Sequence, residues 1–171
     1  ALDLETATIA DLNAAMAKKP AALCLAALDT ESVTEQLQAS KDAGIPVIGH
    51  MGMLPQRVIE EGGYRKKGKT PEQTEAIREG VQALEDAGVS AIVLESIVPS
   101  AAEFLTKSLK VPTIGIGCGE GTCDGEIAVV TDLLGSFPWF VPPFARPEAD
   151  VAGATRNAVA AYIQRVSGGE K

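Results

Sequence analysis

The stretch GIPVIGHMGMLPQRVIEEGGYRKKGK, residues 44–69, decides the reading of this chain. Ile45 to Ile48 is a short apolar run behind Gly44, the pattern of a fully buried strand. Gly49 and Gly52 flank His50 and Met51, which lets the backbone turn sharply or approach a ligand closely. His50 is the only histidine in the chain. Pro55 suits the first position of a helix, and Pro55 to Glu61 is read as a short one. Gly62-Gly63 then makes a turn, with Arg65, Lys66, Lys67 and Lys69 close behind. A strand that runs into a histidine within a glycine-flanked loop is a common way for parallel α/β proteins to build a site. The alternative is a histidine that merely closes a strand end and is satisfied there.

Working outward, apolar runs alternate with helical patterns. Ala1 to Glu5 is read as a short strand, and Thr8 to Lys18 as a helix on the spacing of Ile9, Leu12 and Met16. Ala22 to Leu28 is a strand closed by Asp29, and Glu31 to Ala43 a helix ended by Gly44. Beyond the opening stretch, Pro71 to Ala87 is a long helix with Ile77, Val81 and Leu84 on one face. Ala91 to Leu94 is a strand that ends at Glu95; Ser100 to Leu109 is a helix and Thr113 to Ile116 a strand. Gly125 to Leu134 is mixed, Trp139 to Val141 a last strand, and Val151 to Val166 a C-terminal helix. This alternation specifies an α/β fold with a parallel sheet and right-handed crossovers, organised as a single domain over residues 1–171. It supplies about six βα units, short of the eight in a closed (β/α)8 barrel.

Composition narrows the function. Hydrophobic residues make up 46% of the chain but aromatics only 4%, so aliphatic side chains fill the interior, as parallel α/β folds prefer. A formal charge of -8 argues against nucleic acid as a partner, although a local site can still take an anionic metabolite. No apolar run is long enough to span a bilayer and no signal peptide is visible, so no membrane partner is expected. The 3 cysteines read as reduced thiols in a cytoplasmic setting rather than a disulfide framework. Cys118 and Cys123 do not have zinc-ligand spacing and read as buried or loop thiols.

Three acids fall at strand ends: Asp3, Asp29 and Glu95. Glu95 is the strongest candidate, because it interrupts the apolar run Ile92-Val93-Leu94 at the strand's mouth, where a carboxylate can serve as a general acid or base. His50 joins it from the neighbouring strand. The run Gly115 to Gly121, with Gly117 and Gly119, has the look of a phosphate loop but lacks the Gly-Lys-Ser/Thr that would complete one. The cations at 65–69 are read as a solvated turn, with attraction of an anionic substrate or a polyglutamylated folate as the second reading.

GHMGMLPQ followed by GGYRKKGK resembles the central signature of the ketopantoate hydroxymethyltransferases, aldol-type enzymes of pantothenate synthesis. IVLESIVP (92–99) is similar to that family's strand carrying the catalytic glutamate. PTIGIGCG (112–119), with Cys123 to Glu126 and Asp132 to Gly135, is similar to its next strand and loop. The resemblance covers roughly residues 44–145. It implies a (β/α)8 TIM-type barrel, of which this chain would hold the third to eighth strands, and an assembly into homo-oligomers. It further implies transfer of a one-carbon unit from 5,10-methylenetetrahydrofolate to the keto acid 3-methyl-2-oxobutanoate, giving 2-dehydropantoate. Glu95 would serve the proton transfers, and His50 would orient the substrate with the loop of Gly117 and Gly119. Leu2-Asp3-Leu4 is similar to a motif whose aspartate binds a divalent metal, expected to be Mg²⁺; a frayed terminal acid is the alternative. The strand at 23–28 departs from the family, since it carries neither the lysine nor the metal-directed glutamate found there. A non-catalytic paralogue, a split barrel completed by another chain, or a related lyase or mutase acting on another keto acid are the competing readings.

Overall fold

The computed structural model describes residues 4–25 and 33–168, without the side chains of residues 4–8 and 56. The chain divides into two compact units, Ala1–Glu126 and Ile127–Lys171.

The first unit is built on a five-stranded, all-parallel sheet in the order β1-β2-β3-β4-β5. The strands are β1 (Leu23–Cys24), β2 (Val47–Gly52), β3 (Ala91–Glu95), β4 (Thr113–Ile116) and β5 (Gly125–Glu126). Spatial order equals chain order, so the sheet is wound in one direction without a switch point. That is the connectivity of a barrel sector and not of a doubly wound sheet. β3 is central: its first four residues are all buried, as expected of a run covered on both faces.

α1 (Leu4–Ala17) precedes β1, and α2 (Thr34–Asp42), α3 (Pro71–Asp86) and α4 (Pro99–Ser108) fill the connections that follow. α3 starts where its sequence says it should. The Thr70 hydroxyl accepts from the Gln73 N–H, and Pro71 follows at the first helical position, where it loses no hydrogen bond. α4 likewise opens on Pro99. Val81 and Leu84 of α3 and Ala101, Ala102 and Leu105 of α4 are buried together with Ile92 and Leu94 of β3. The two elements fit closely, because a Cβ added at Gly49 would lie 3.0 Å from Leu84 Cδ1.

This packing settles which face of the sheet is which. Strand side chains alternate, and in-register partners share a face. Gly49 pairs with Ile92 and Met51 with Leu94, so these residues look toward the helices. Ile48, His50, Val93, Glu95, Ile114 and Ile116 therefore lie on the opposite face, which a closed barrel would turn inward.

Several expectations are corrected. Leu4 and Glu5 are helical, not extended; the rest of that expected strand lies outside the described residues, as do Ala26–Leu28 and Asp29. The helix at 55–61 reduces to a 3-10 turn at Pro55–Arg57, closed off by the positive φ of Gly62 and Gly63. Trp139 to Val141 is not a strand. Pro138, Pro142 and Pro143 flank it and cannot donate to a ladder.

The second unit contains a short helix α5 (Val130–Leu133) and a long helix α6 (Val151–Ser167). Asp150 caps α6 by accepting from the Gly153 N–H at 2.8 Å. Among the described residues this unit buries no apolar side chain, so the core lies in the first unit.

Candidate active site at the ends of β2 and β3

His50 and Glu95 meet at the carboxyl ends of β2 and β3. Register makes the meeting unavoidable: His50 pairs with Val93, and Glu95 is two residues further along the same face. His50 Nε2 lies 3.0 Å from Glu95 Oε2, with the side chains 12% and 15% exposed. The two atoms are within ion-pair range but out of line for a hydrogen bond. The buried Nε2 thus has no hydrogen-bond partner among the described residues. Buried polar atoms are nearly always satisfied, so this unsatisfied ring nitrogen beside a carboxylate at a strand mouth singles the pair out as the candidate site.

The backbone around the pair is shaped for it. Gly52, opposite Glu95 in the register, has φ +106. A Cβ there would run into the Glu95 carbonyl oxygen and lie 3.0 Å from Ile97 Cγ1. The bare glycine lets β2 stay this close to β3, and the Met53 N–H donates to the Glu95 carbonyl at 2.8 Å as the next rung of the ladder. Ser96, directly after the carboxylate, is buried with φ +51, an uncommon conformation for a residue other than glycine. Its N–H donates to the Ile116 carbonyl and its carbonyl accepts from the Lys67 N–H, each at 2.8 Å. The neighbours on both sides hold this turn, so Glu95 leaves its strand in a fixed direction.

Gly117 and Gly119 come to the same end. Glu95 pairs with Ile116, so Gly117 follows directly on the partner of the carboxylate. Both glycines have positive φ, +68 and +104, and a Cβ at Gly119 would lie 2.9 Å from Pro99 Cγ. Between them Cys118 is buried and donates to the Leu94 carbonyl at 3.0 Å. Burial pushes its thiol up to about 11, so it is a packing residue and not a nucleophile. One further lock sits below the loop. Asp124 accepts from both the N–H and the hydroxyl of the fully buried Thr113, at 2.8 and 3.1 Å.

With this geometry in place, comparison with known proteins becomes informative. The chain matches the ketopantoate hydroxymethyltransferase model over residues 7–170. It belongs to that family.

Its relatives carry the same name. A 3-methyl-2-oxobutanoate hydroxymethyltransferase from Thermosynechococcus vestitus is 45% identical over 125 residues, 73% of this chain and 47% of the relative. One from Cenarchaeum symbiosum is 45% identical over 135 residues, covering 79% of this chain and 51% of the relative. One from Phenylobacterium zucineum is 40% identical over 159 residues, covering 93% and 57%. The chain spans about half the length of the curated relatives it matches.

Of the residues expected at a family site, the structure brings His50, Glu95 and the Gly117–Gly119 loop to one end of the sheet. Asp3 lies outside the described residues. Among the described residues no three His, Cys, Asp or Glu side chains are grouped to hold a metal. One carboxylate already set against an imidazole does not suit Mg²⁺, which favours octahedral oxygen ligation. The described residues alone therefore do not fit a divalent ion. Sequence reasoning singled out Gly52 for its freedom to turn but missed Ser96 as a shaping element. A serine after a strand-end acid carries no signal of positive φ, and the approach of Gly52 to β3 exists only once the strands pair.

Proposed function

We propose that this chain carries the proton-transfer half of a 3-methyl-2-oxobutanoate hydroxymethyltransferase site. The observation that supports it is the Glu95 carboxylate at the mouth of β3 with the buried, unsatisfied Nε2 of His50 3.0 Å away. A base beside a hydrogen-bond donor is what enolisation of a keto acid requires. Glu95 takes the proton from the carbon next to the keto group. The electron pair of that C–H bond becomes the enolate, and its carbon forms the new bond to the one-carbon unit. Both C–N bonds to the folate break, one water supplies the hydroxyl oxygen and its two protons go to the released folate nitrogens, and Glu95 returns its proton to the new alkoxide. His50 Nε2 binds a substrate oxygen and orients the molecule against Glu95.

In this reading the one-carbon donor is 5,10-methylenetetrahydrofolate and the product 2-dehydropantoate, an intermediate of pantothenate synthesis in the cytoplasm. A divalent metal, Mg²⁺ by expectation, would be held through Asp3 and other groups outside the described residues; none of the steps above depends on it. β1 and β5 each pair on one side only among the described residues, and closure to eight strands needs further strands. We therefore include homo-oligomerisation or a complementing chain in the proposal. Trp139, 81% exposed, is a candidate contact, and sedimentation at micromolar concentration giving only monomer mass would remove this part.

The test is direct. The purified protein, shown folded by circular dichroism, is supplied with 3-methyl-2-oxobutanoate, 5,10-methylenetetrahydrofolate and Mg²⁺, and 2-dehydropantoate is followed by mass spectrometry. Turnover supports the assignment; a folded protein that neither turns over nor exchanges the proton beside the keto group of 3-methyl-2-oxobutanoate overturns it.

A further inference from the structure

The cation-rich turn at 64–69 is not a loosely solvated loop. Lys67 is bridged in parallel to Ile97: its N–H donates to the Ser96 carbonyl at 2.8 Å and its carbonyl accepts from the Val98 N–H at 2.9 Å. Gly68 is buried against the start of α4, where an added Cβ would lie 3.0 Å from Ala101 Cβ. The Lys69 N–H donates to Gln73 Oε1 at 2.9 Å. The turn is thus fastened to the segment that directly follows Glu95.

Its charges are placed unevenly. Lys67 spends its ammonium on Glu61. Arg65, Lys66 and Lys69 are exposed and make no ion pair among the described residues. Arg65 and Lys66 directly precede Lys67, whose backbone is held to Ser96 and Val98 just behind Glu95. In a chain with 23 acidic against 15 basic residues, these exposed cations sit on the turn that is fastened directly behind the site carboxylate. Exposed cations close to a carboxylate base offset the field that would keep an anionic substrate away from it.

We infer that Arg65 and Lys66 form a carboxylate-binding rim of the site at Glu95. The inference rests on the proposed function for its choice of substrates. Both carry carboxylates: the keto acid has one, and the folate carries them on its glutamate tail. The guanidinium of Arg65 can take a carboxylate in the two-pronged manner, with Lys66 as a point charge beside it.

The experiment compares wild type with Arg65→Ala, Lys66→Ala and, as a control of equal charge, Lys107→Ala on the far end of α4. KM is measured for the keto acid and for methylenetetrahydrofolate bearing one or three glutamates, at low and high salt. Each rim variant is expected to raise one KM about two- to fivefold, and high salt to narrow the difference, as for exposed ion pairs. A rise confined to the triglutamate cofactor assigns the rim to the tail, and a rise in the keto acid KM assigns it to the substrate carboxylate. Rim variants indistinguishable from Lys107→Ala overturn the inference. Calorimetric titration with triglutamate and with 3-methyl-2-oxobutanoate separates this outcome from failure of the functional reading. Carboxylate binding that the variants weaken upholds the rim even without turnover, and absence of binding to wild type overturns it.

Discussion

Replacing Gly52 by Ala is expected to damage stability and site together. Gly52 sits at φ +106, where an L side chain is strained by roughly 1–2 kcal/mol. The new Cβ would also run into the Glu95 carbonyl, and Ile97 Cγ1 at 3.0 Å closes the other way out. The ends of β2 and β3 must then part, which loses the hydrogen bond from the Met53 N–H to Glu95, worth about 0.5–1.5 kcal/mol. The sum is roughly 1.5–3.5 kcal/mol. Gly63→Ala is the matched control, since Gly63 has φ +115 with nothing within 4 Å, so it isolates the conformational cost. Urea unfolding followed by circular dichroism measures both variants, with an unchanged slope licensing the comparison. Because Glu95 is displaced, turnover well below the melting temperature should fall by up to about a hundredfold for Gly52→Ala and stay near wild type for Gly63→Ala. Equal losses of stability in the two variants would refute the steric argument. Full turnover in a folded Gly52→Ala protein would show that Gly52 does not position Glu95.

Two other substitutions probe the locks around the sheet. Asp124→Ala leaves the N–H of fully buried Thr113 without its acceptor, and should cost about 1–3 kcal/mol in urea unfolding; a loss near zero would mean that the loop relaxes to supply another acceptor. Glu85 accepts from the N–H groups of Lys110 and Val111, at 2.6 and 3.0 Å, and these bonds, that of Lys110 foremost, hold its carboxyl below the ordinary range. A depressed carboxylate contributes stability above its unfolded value, near 4.3 in free peptides, and loses it as pH falls through the folded value. Glu85→Gln should therefore be less stable than wild type at neutral pH, with the gap closing as pH falls below about 4; a gap independent of pH would refute the assignment.

The sheet and its helices were legible because their signals were local and strong. Ile92-Val93-Leu94 is a continuous apolar run that could only be a central strand, and Thr70-Pro71 fixes the start of α3 to the residue. Trp139-Phe140-Val141 failed because side-chain preference for strands was weighed without the prolines that deny it a ladder. Leu4 and Glu5 departed from the expected strand because they belong to the helix-forming run of α1. At the site, His50 and Glu95 were legible as strand-end residues, and parallel register then brings them together. The unsatisfied Nε2 of His50, the left-handed Ser96 and the clasp of Lys67 on Ser96 and Val98 arise from tertiary pairing and leave no trace in composition or spacing.

The central claim is that Glu95 is the base that removes a proton from the carbon beside the keto group. Exchange of that proton for deuterium in 3-methyl-2-oxobutanoate, followed by NMR in heavy water, isolates this step from one-carbon transfer. The wild-type protein is expected to catalyse the exchange, and Glu95→Gln to slow it by about 10²–10⁴-fold with the fold retained by circular dichroism. Exchange at the wild-type rate in a folded Glu95→Gln protein would contradict the account.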